Sequence, residues 1–427
     1  MDVRRKELLP NVYLTTVQTD RFKTGCLSAV LLTQLSRETA SMNALLPRVL
    51  RRGTLSCPDM AALQARLDEL YGAAVEPTVF KLGEIQATGF ICSFCDDRFL
   101  PEKTDIPGGV ASLLGELFLN PAMRGGLLRQ DYVESEREKL VERIESLVNN
   151  KRSYAVRRLS EEMCAFEDYA VHALGSAESA ESIYYVHLSR HYKELLSSSP
   201  LELFYCGSAD AHRVEDSLFN AFLPLPRGEL NEELGTDIRM NTVEEEPRFF
   251  EEEMDVQQGQ LVLGFRLGDC MEDPDTAVLR VLNALYGGSS TSKLFMNVRE
   301  KLSLCYYASS QIDWHKGLMF VSAGINFDQF DAARNEILAQ LEAIQRGDFS
   351  DEELLGCKKR IASSLRGISD SPDALCNFYT DETVLGLFCT PEEMAALVED
   401  VTRDEVVAAA QGIRLDAVYF LKGECNE

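Results

Sequence analysis

The chain has 427 residues, of which 45% are hydrophobic and 26% are charged, a composition typical of folded globular proteins. This length predicts two or three domains of ordinary size. The formal net charge of -26 at pH 7 excludes nucleic acid as an expected partner, because phosphate backbones are bound by clusters of lysine and arginine.

The expected cellular setting follows from what the sequence lacks. No run approaches the roughly 18 apolar residues of a membrane-spanning helix, and no apolar stretch follows the basic residues near the start as in a signal peptide. The twelve cysteines are scattered singly, which is typical of a reducing compartment. We therefore predict a cytoplasmic protein with no membrane partner.

The first half opens with a predicted strand over residues 25–34, followed by a short helix within residues 41–54 ("SMNALLPRVLRRGT"). Apolar residues recur in that helix at the spacing of one buried face. Its other face is unusual, because it carries Pro47, Arg48 and two further arginines in a strongly acidic chain. This pattern raises the question of whether the second face has a function or has lost one.

The rest of the chain shows a repeated order of elements. A predicted helix at residues 60–73 leads into two strand-like runs, and residues 201–207 form a closing strand. The second half repeats this order, with a helix at residues 292–302, two strand-like runs and a closing strand at residues 417–423. We interpret the repetition as an internal duplication.

These elements predict an α+β fold of two homologous domains, each an antiparallel-rich sheet layered by helices. The first domain is predicted to span residues 1–222 and the second to span residues 246–427. Between them, residues 223–245 contain proline, glycine and acidic residues without periodicity, which is typical of an acidic linker.

The chain has only five histidines, and two of them have the spacing of a metal site. His187 and His191 stand four residues apart on one predicted helical face, and Glu194 follows one turn later. Such a group can bind zinc, but a usable site needs a further ligand and an enclosing shell. A polar surface face beside Arg190 and Lys193 is the interpretation that we favour.

The most informative run is "SKLFMNVREKLSLCYYASS", in which Arg299 ends a predicted helix and Tyr306 begins a strand. A guanidinium and a phenol that converge there can anchor a peptide carbonyl or stabilise a developing oxyanion. The structural alternative is that Arg299 caps or solvates its helix and Tyr306 packs. The preceding glycine–serine run lacks the Gly-Lys-Ser/Thr of a phosphate-binding loop, so a loop that touches an extended peptide is the better functional interpretation.

The pattern G-G-S-S-T-S-K-L-F-x-x-V-R-E-K-x-x-L-x-Y at residues 287–306 resembles the second-domain signature of the pitrilysin/insulinase family of zinc peptidases. The bacterial relatives of the mitochondrial processing peptidase are the most similar branch. The runs "TDRFKTGCLSAVL" and "VESEREKLVERIESLVNNKRSYA" extend the resemblance over essentially the whole chain. It implies that the two domains close like a clamshell around a chamber.

Active members of that family carry H-x-x-E-H on a helix ahead of a Gly-Thr, with two histidines on zinc and the glutamate as general base. Aligned on "RRGT", Ala44 and Arg48 occupy the histidine positions and Pro47 occupies the general-base position. The third ligand aligns with Arg143, or with Glu142 if the alignment shifts by one. The resemblance therefore implies no metal in this chain and no metalloprotease activity by the chain alone.

The second-domain pair is retained. The resemblance implies that Arg299 and Tyr306 position substrate and stabilise the transition state. In the family, the non-catalytic subunit of the processing peptidase has a glycine-rich loop that contacts substrate. The resemblance implies that a shorter loop of this chain corresponds to it. Its predicted substrate-binding residues are Gly287, Gly288, Ser289 and Ser290.

We therefore predict a non-catalytic, zinc-less subunit of a heterodimeric peptidase that acts on peptides or unfolded polypeptides. The expected partner is a paralogous subunit that bears the zinc, while this chain has no cofactor of its own. One alternative is an inactive scaffold or peptide-binding homologue that forms a homodimer, and another is a metalloenzyme that uses the histidine pair. The sequence leaves the substrate, the cleavage preference and any remaining activity open.

Overall fold

The computed structural model describes residues 1–102, 104–229, 234–239, 246–271 and 275–423, without the side chains of residues 269 and 270. Residues 230–233 and 240–245 of the predicted linker therefore lie outside the described residues.

Strands and helices alternate along the chain in blocks. The strands are β1 (Asp2–Leu9), β2 (Val12–Gln18), β3 (Thr24–Gln34), β4 (Ala74–Leu82), β5 (Ile85–Cys95), β6 (Met123–Arg124), β7 (Leu127–Leu128), β8 (Leu201–Gly207), β9 (Arg248–Met254), β10 (Gly259–Arg266), β11 (Cys305–Asp313), β12 (Leu318–Ile325) and β13 (Arg414–Gly423). The α-helices are α1 (Ala40–Leu50), α2 (Met60–Glu69), α3 (Ile106–Leu119), α4 (Gln130–Glu145), α5 (Lys151–Met163), α6 (Ala177–Glu181), α7 (Tyr185–Ser198), α8 (Ala211–Phe222), α9 (Thr276–Tyr286), α10 (Phe330–Gln345), α11 (Asp351–Ile368), α12 (Pro372–Val384), α13 (Pro391–Asp400) and α14 (Arg403–Gly412). A π-helix spans Leu294–Lys301, and short 3-10 helices span Asp97–Phe99, Ser146–Asn149, Asp168–Ala170, Gly268–Met271 and Phe327–Gln329.

The chain forms two compact units, and neither is continuous in sequence. Unit 1 comprises Met1–Ser146, Val171–Gly235 and Ile368–Phe388, and unit 2 comprises Leu147–Ala170, Thr236–Gly367 and Cys389–Glu427. Each unit is thus built mainly from one half of the chain. Each also includes one helix from the other half, α12 in unit 1 and α5 in unit 2.

The two units share one sheet topology. Unit 1 contains a six-stranded sheet in the order β1-β2-β8-β3-β5-β4, and unit 2 contains a five-stranded sheet in the order β11-β12-β10-β13-β9. Written in reverse, the order in unit 2 is β9-β13-β10-β12-β11. It matches the order β2-β8-β3-β5-β4 of unit 1, strand for strand. In both sheets one pair is parallel, β2 with β8 and β9 with β13, and the other neighbours are antiparallel. The predicted α+β fold is confirmed, while the clamshell around a chamber stays a prediction.

In the core of unit 1, β3 is buried at eight consecutive positions, residues 25–32. This strand lies between β8 and β5, with α3 packed on it and α12 from the second half of the chain also packed against it. A strand that is covered on both faces carries mainly apolar residues at consecutive positions rather than only at alternate ones. Phe90 and Phe118 pack edge to face beside it, with ring centroids 5.3 Å apart. None of the helices in the described ranges is both long and apolar enough to cross a bilayer.

Candidate functional site

Helix α1 carries the positions that align with the zinc motif, and it continues through its internal Pro47. A proline has no N–H, so the carbonyl of Asn43 one turn earlier loses its helical donor. The hydroxyl of Thr88 on β5 donates to that carbonyl at 2.7 Å, and the Thr88 side chain is buried. The neighbouring strand therefore supplies the hydrogen bond that the proline removes.

The side chains at the aligned positions do not fit a zinc ion. On α1, Ala44 is fully buried, Pro47 is buried and Arg48 is half-buried. On α4, which packs against α1, Glu142 and Arg143 are both exposed. Alanine and proline offer no ligand atom, and a guanidinium does not bind cations. In the part of the chain that the structure describes, no group of three or more His, Cys, Asp or Glu side chains could hold a metal ion.

Two of the three arginines near the end of α1 have structural partners. Arg51 donates to the Val75 carbonyl at 2.6 Å. Arg52 donates to the buried carboxylate of Glu136 on α4 at 2.9 Å, and its guanidinium lies 4.8 Å from the centre of the Tyr132 ring. These contacts attach the end of α1 to β4 and α4. Arg48 takes no part in them.

His191 belongs to a buried polar network rather than to a pair with His187. Its Nε2 lies 2.6 Å from the Oδ1 of Asn43. The amide nitrogen of Asn43 donates to Gln86 at 2.8 Å and to Thr33 at 3.1 Å, so its oxygen is the acceptor and the imidazole is the donor. Burial lowers the pKa of His191 and so favours the neutral ring, whose Nε2–H donates to Asn43.

The other members of the suggested metal group point to different environments. His187 is exposed and packs edge-on against Tyr184. Glu194 lies 3.6 Å from Arg190 on the solvent-facing side of α7. Both contribute, with His191, to the lining of a pocket of about 380 Å³. His187 and Glu194 thus lie on the exposed polar face of α7, whereas His191 turns inward to Asn43.

Arg299 lies near the end of the π-helix Leu294–Lys301. Its guanidinium lies 4.7 Å from the centre of the Phe295 ring, and its Nε lies 3.6 Å from the carboxylate of Glu300. A π-helix is rare and occurs frequently at functional sites. The side chain of Arg299 is partly exposed, so its charged end remains accessible to a ligand.

Tyr306 is the extra residue of a β-bulge at the start of β11. Its neighbours Cys305 and Tyr307 pair with consecutive residues of β12, which leaves Tyr306 without a partner in the ladder. A bulge re-aims a side chain, and Tyr306 is 61% exposed. Its hydroxyl donates to the side-chain oxygen of Asn326 at 3.1 Å.

A tight turn connects the two residues. The N–H of Ser303 donates to the carbonyl of Arg299 at 3.1 Å, and Ser303 adopts a left-handed conformation with φ of 51°. The π-helix also packs on β11. The structure thus brings Arg299 and Tyr306 to the same end of β11, where both side chains can donate hydrogen bonds to an oxygen of a ligand.

The glycine–serine loop is held by its own contacts. The N–H groups of Gly287 and Gly288 both donate to the carbonyl of Asn283 and so end α9. A Cβ on Gly287 would lie 2.6 Å from the backbone nitrogen of Ser310, so only glycine fits against β11. Arg360 donates to the Gly288 carbonyl at 3.1 Å.

The two serines of this loop also have local partners. Ser289 accepts a hydrogen bond from the N–H of Thr291 at 3.3 Å, and Ser290 accepts one from Arg360 at 3.5 Å. Substrate contact by Gly287, Gly288, Ser289 and Ser290 stays a prediction.

Comparison with known proteins identifies one family. A family model of the peptidase M16 inactive domain matches residues 183–361. A Bacillus subtilis (strain 168) protein described as the probable inactive metalloprotease YmfF is 34% identical over 409 residues, which cover 95% of both chains. A conserved protein from Enterococcus faecalis V583 has a TM-score of 0.89 and 26% identity over the whole of both chains. A peptidase M16 inactive domain from Pseudomonas fluorescens shares the fold, with a TM-score of 0.79 and 15% identity over 99% of this chain and 98% of its own.

Proposed function

Because the chain belongs to the M16 (pitrilysin/insulinase) family of peptidases as an inactive member, we propose that it is the zinc-less subunit of a peptidase pair. In this proposal a paralogous partner bears the zinc and the general base. The present chain binds the peptide or unfolded polypeptide and contributes Arg299 and Tyr306 to the composite site. The observation that carries the proposal is the exposed Tyr306, which a β-bulge re-aims on the strand against which the π-helix of Arg299 packs.

The contribution of each side chain follows from its chemistry. Peptide hydrolysis builds negative charge on the carbonyl oxygen in the transition state, and hydrogen-bond donors aimed at that oxygen lower the barrier. The phenol of Tyr306 and the guanidinium of Arg299 are both donors. Tyr306 contacts Asn326 and Arg299 contacts Glu300. Both contacts are exposed, so a substrate can replace them at a low cost in free energy.

The test is peptide hydrolysis by the purified pair of this chain and a zinc-bearing paralogue. Removing one oxyanion donor in a hydrolase lowers kcat on the order of 100-fold, so we expect losses of about tenfold to 100-fold for Arg299→Ala and for Tyr306→Phe. Tyr307→Phe is the matched control for the second variant, because the Tyr307 hydroxyl is occupied by Gln260 at 2.6 Å. Full activity of the pair with both variants would remove Arg299 and Tyr306 from the mechanism.

The alternative function, an inactive scaffold or peptide-binding homologue, predicts a different oligomeric state from the peptidase pair. A scaffold would form a stable homodimer and would co-purify with no hydrolysing partner. Sedimentation of the chain alone and with the paralogue distinguishes the two. Formation of a 1:1 complex in preference to the homodimer supports the peptidase pair.

A further inference from the structure

We propose that the outer edge of β9 in unit 2 is a docking site for an extended segment of another protein, which adds to the sheet as a further strand. The segment is basic, with lysine or arginine at alternate positions. The site lies at the opposite edge of the sheet from β11, the strand that carries Tyr306. It requires no zinc-bearing subunit, so it is independent of the proposed function.

Comparison of the two units shows which strand could be added. In unit 1 the sheet ends with β1, which pairs with β2 in antiparallel orientation. In unit 2 the strand β9 occupies the position of β2, and the sheet has no counterpart of β1 among the described residues. β9 is therefore an edge strand, paired with β13 on one side. The topology that holds a covering strand in unit 1 leaves a place for one in unit 2.

The edge at β9 is also the most regular of the four edges of the two large sheets. Edge strands can pair with other chains, and proteins prevent such pairing with bulges and prolines. β1 and β11 each contain a register shift, and β4 contains Pro77. β9 pairs with β13 over its seven residues without a shift, and it contains no proline. Among the described residues, none makes a hydrogen bond to the outward backbone groups of β9.

Alternate side chains of β9 face two different environments. The even-numbered residues face α5, where Tyr154 donates to Glu252 at 2.7 Å. The odd-numbered residues Phe249, Glu251 and Glu253 lie on the opposite face of the strand and are exposed. Phe249 remains 51% exposed. A strand added at this edge would therefore meet one apolar and two acidic side chains on that face.

The charges on this face favour a basic segment. The ammonium of Lys422 on β13 lies 2.7 Å from Glu251 and 3.0 Å from Glu253. Because β13 is the inner neighbour of β9, this ammonium approaches the two carboxylates from the inner side, and an added strand would approach them from the outer side. Two carboxylates share one ammonium, so a lysine or arginine on the added strand completes the charge balance.

The same charges disfavour a second copy of this chain as the occupant. Antiparallel pairing of β9 with β9 of another copy would place acidic residues opposite one another, and like charges directly opposite are destabilising. Charged side chains on an edge strand are one device that prevents such self-association. The edge is thus closed to its own copy and open to a strand of opposite charge.

Unit 1 supplies an internal precedent for a basic covering strand. β1 carries Arg4, Arg5 and Lys6 in succession. Arg5 donates to both carboxylate oxygens of Glu202 at 2.7 and 2.8 Å, and Glu202 lies on β8, on the far side of β2. Backbone pairing together with ion pairs to the sheet thus holds the covering strand. The same two kinds of contact are available at β9, and strand addition of this type is a common mode of peptide recognition.

The test is a titration of a fluorescein-labelled peptide with the purified full chain, followed by fluorescence anisotropy. The peptide Thr-Lys-Thr-Lys-Thr-Val-Thr, with an amidated C-terminus, can place its lysines opposite Glu251 and Glu253 and its valine opposite Phe249 in antiparallel register. We expect saturable binding that weakens about fivefold in the double variant Glu251→Gln with Glu253→Gln, because two cross-strand ion pairs are lost. A peptide with Glu in place of both lysines should bind at least about tenfold more weakly.

Backbone methylation of the peptide separates strand addition from simple attraction of charges. In an antiparallel pair, only alternate residues of the peptide donate their N–H to β9. Two further peptides, N-methylated at the even or at the odd positions, keep the charge of the parent peptide. One of them should lose binding and the other should retain it. Equal binding by both would show that charge alone holds the peptide and would overturn the added strand.

The matched control is the double variant Glu392→Gln with Glu399→Gln, in which two exposed carboxylates share Arg366 in the same unit. It removes the same charge and should leave binding unchanged, and thermal melts establish that both double variants are folded. An equal loss of binding in this control, or no saturable binding by the parent chain, would overturn the site. A homodimer that the lysine peptide dissociates in sedimentation would overturn the basic partner and reassign the edge to a second copy.

Discussion

At the scale of single residues, Pro47 shows how a buried helix can continue through an internal proline. Its ring removes a helical hydrogen bond, and Thr88 from the sheet supplies the replacement. Sequence alone predicts the helix and its buried face, because both follow from the spacing of apolar residues. The Thr88 contact could not be predicted, because it depends on which strand lies beneath the helix.

The first prediction concerns this replacement. Thr88→Val should lower the free energy of unfolding by about 1–3 kcal/mol, because it leaves the Asn43 carbonyl buried without a donor. In a Pro47→Ala background the helix N–H returns, and the same change should cost less. Urea denaturation of the four proteins of this cycle measures the coupling. Equal costs in both backgrounds would show that Thr88 does not compensate for the proline.

A second prediction at this scale concerns pH. Because burial lowers the pKa of His191, the unfolded chain binds a proton at this residue that the folded chain does not. The stability contributed by the neutral ring is present above the unfolded pKa of ~6.5 and is lost as the pH falls below it. His191→Gln should therefore reduce the decline in unfolding free energy between pH 7 and pH 5. His187→Gln, at an exposed position of the same helix, should leave the decline unchanged.

At the scale of elements, a buried charge network holds the segment after α5 in unit 2. The carboxylate of Glu167 accepts from Arg266 at 2.6 Å and lies 2.7 Å from the ammonium of Lys316. Arg266 also donates to Asp416 at 2.8 Å, and Asp416 accepts from Arg248 on β9 at 2.7 Å. Burial alone would raise the pKa of Glu167, but the hydrogen bonds from Arg266 and Lys316 hold it below its usual range. The network connects β9, β10 and β13 to a segment from the first half of the chain.

The third prediction is that Glu167→Gln destabilises the protein by about 3–5 kcal/mol, because it removes the buried carboxylate charge that Arg266 and Lys316 share. Glu161→Gln, at a more exposed ion pair on α5, should cost about 1 kcal/mol or less. Since the folded pKa of Glu167 is lowered, its contribution is present above the unfolded pKa of ~4.3 and is lost as the pH falls further. In urea titrations, the difference in unfolding free energy between variant and parent should therefore be smaller at pH 3 than at pH 7. A cost of Glu167→Gln equal to that of Glu161→Gln would contradict the role of the network.

At the scale of the whole molecule, the internal duplication was predictable from the sequence. The exchange of helices, by which each unit includes one helix from the other half of the chain, was not. The repeat is visible because the order of helices and strands recurs, and the matching sheet orders follow from it. Amphipathic helices such as α5 and α12 reveal that one face is buried, but not which sheet covers it. The π-helix and the bulge at Tyr306 were hidden for a similar reason, since a bulge depends on the register of two strands.

The fourth prediction follows from the exchange. In unit 1, α12 places Tyr379 in a stacked arrangement with Phe204 on β8, with ring centroids 6.1 Å apart. In unit 2, Tyr154 on α5 donates to Glu252 on β9 at 2.7 Å. Fragments 1–235 and 236–427, produced together, should therefore co-purify as a folded complex, and each alone should unfold at lower urea concentration. A fragment 1–235 as stable alone as in the intact chain would contradict this organisation.

The central claim is that this chain has no zinc chemistry of its own and acts through a zinc-bearing partner. Metal analysis and peptide hydrolysis, measured on the chain alone and on the purified pair, test it most directly. We predict no stoichiometric zinc and no hydrolysis with the chain alone, and one zinc per heterodimer with hydrolysis that falls in Tyr306→Phe. One zinc per chain, together with hydrolysis by the chain alone that disappears in His187→Ala, would contradict the account.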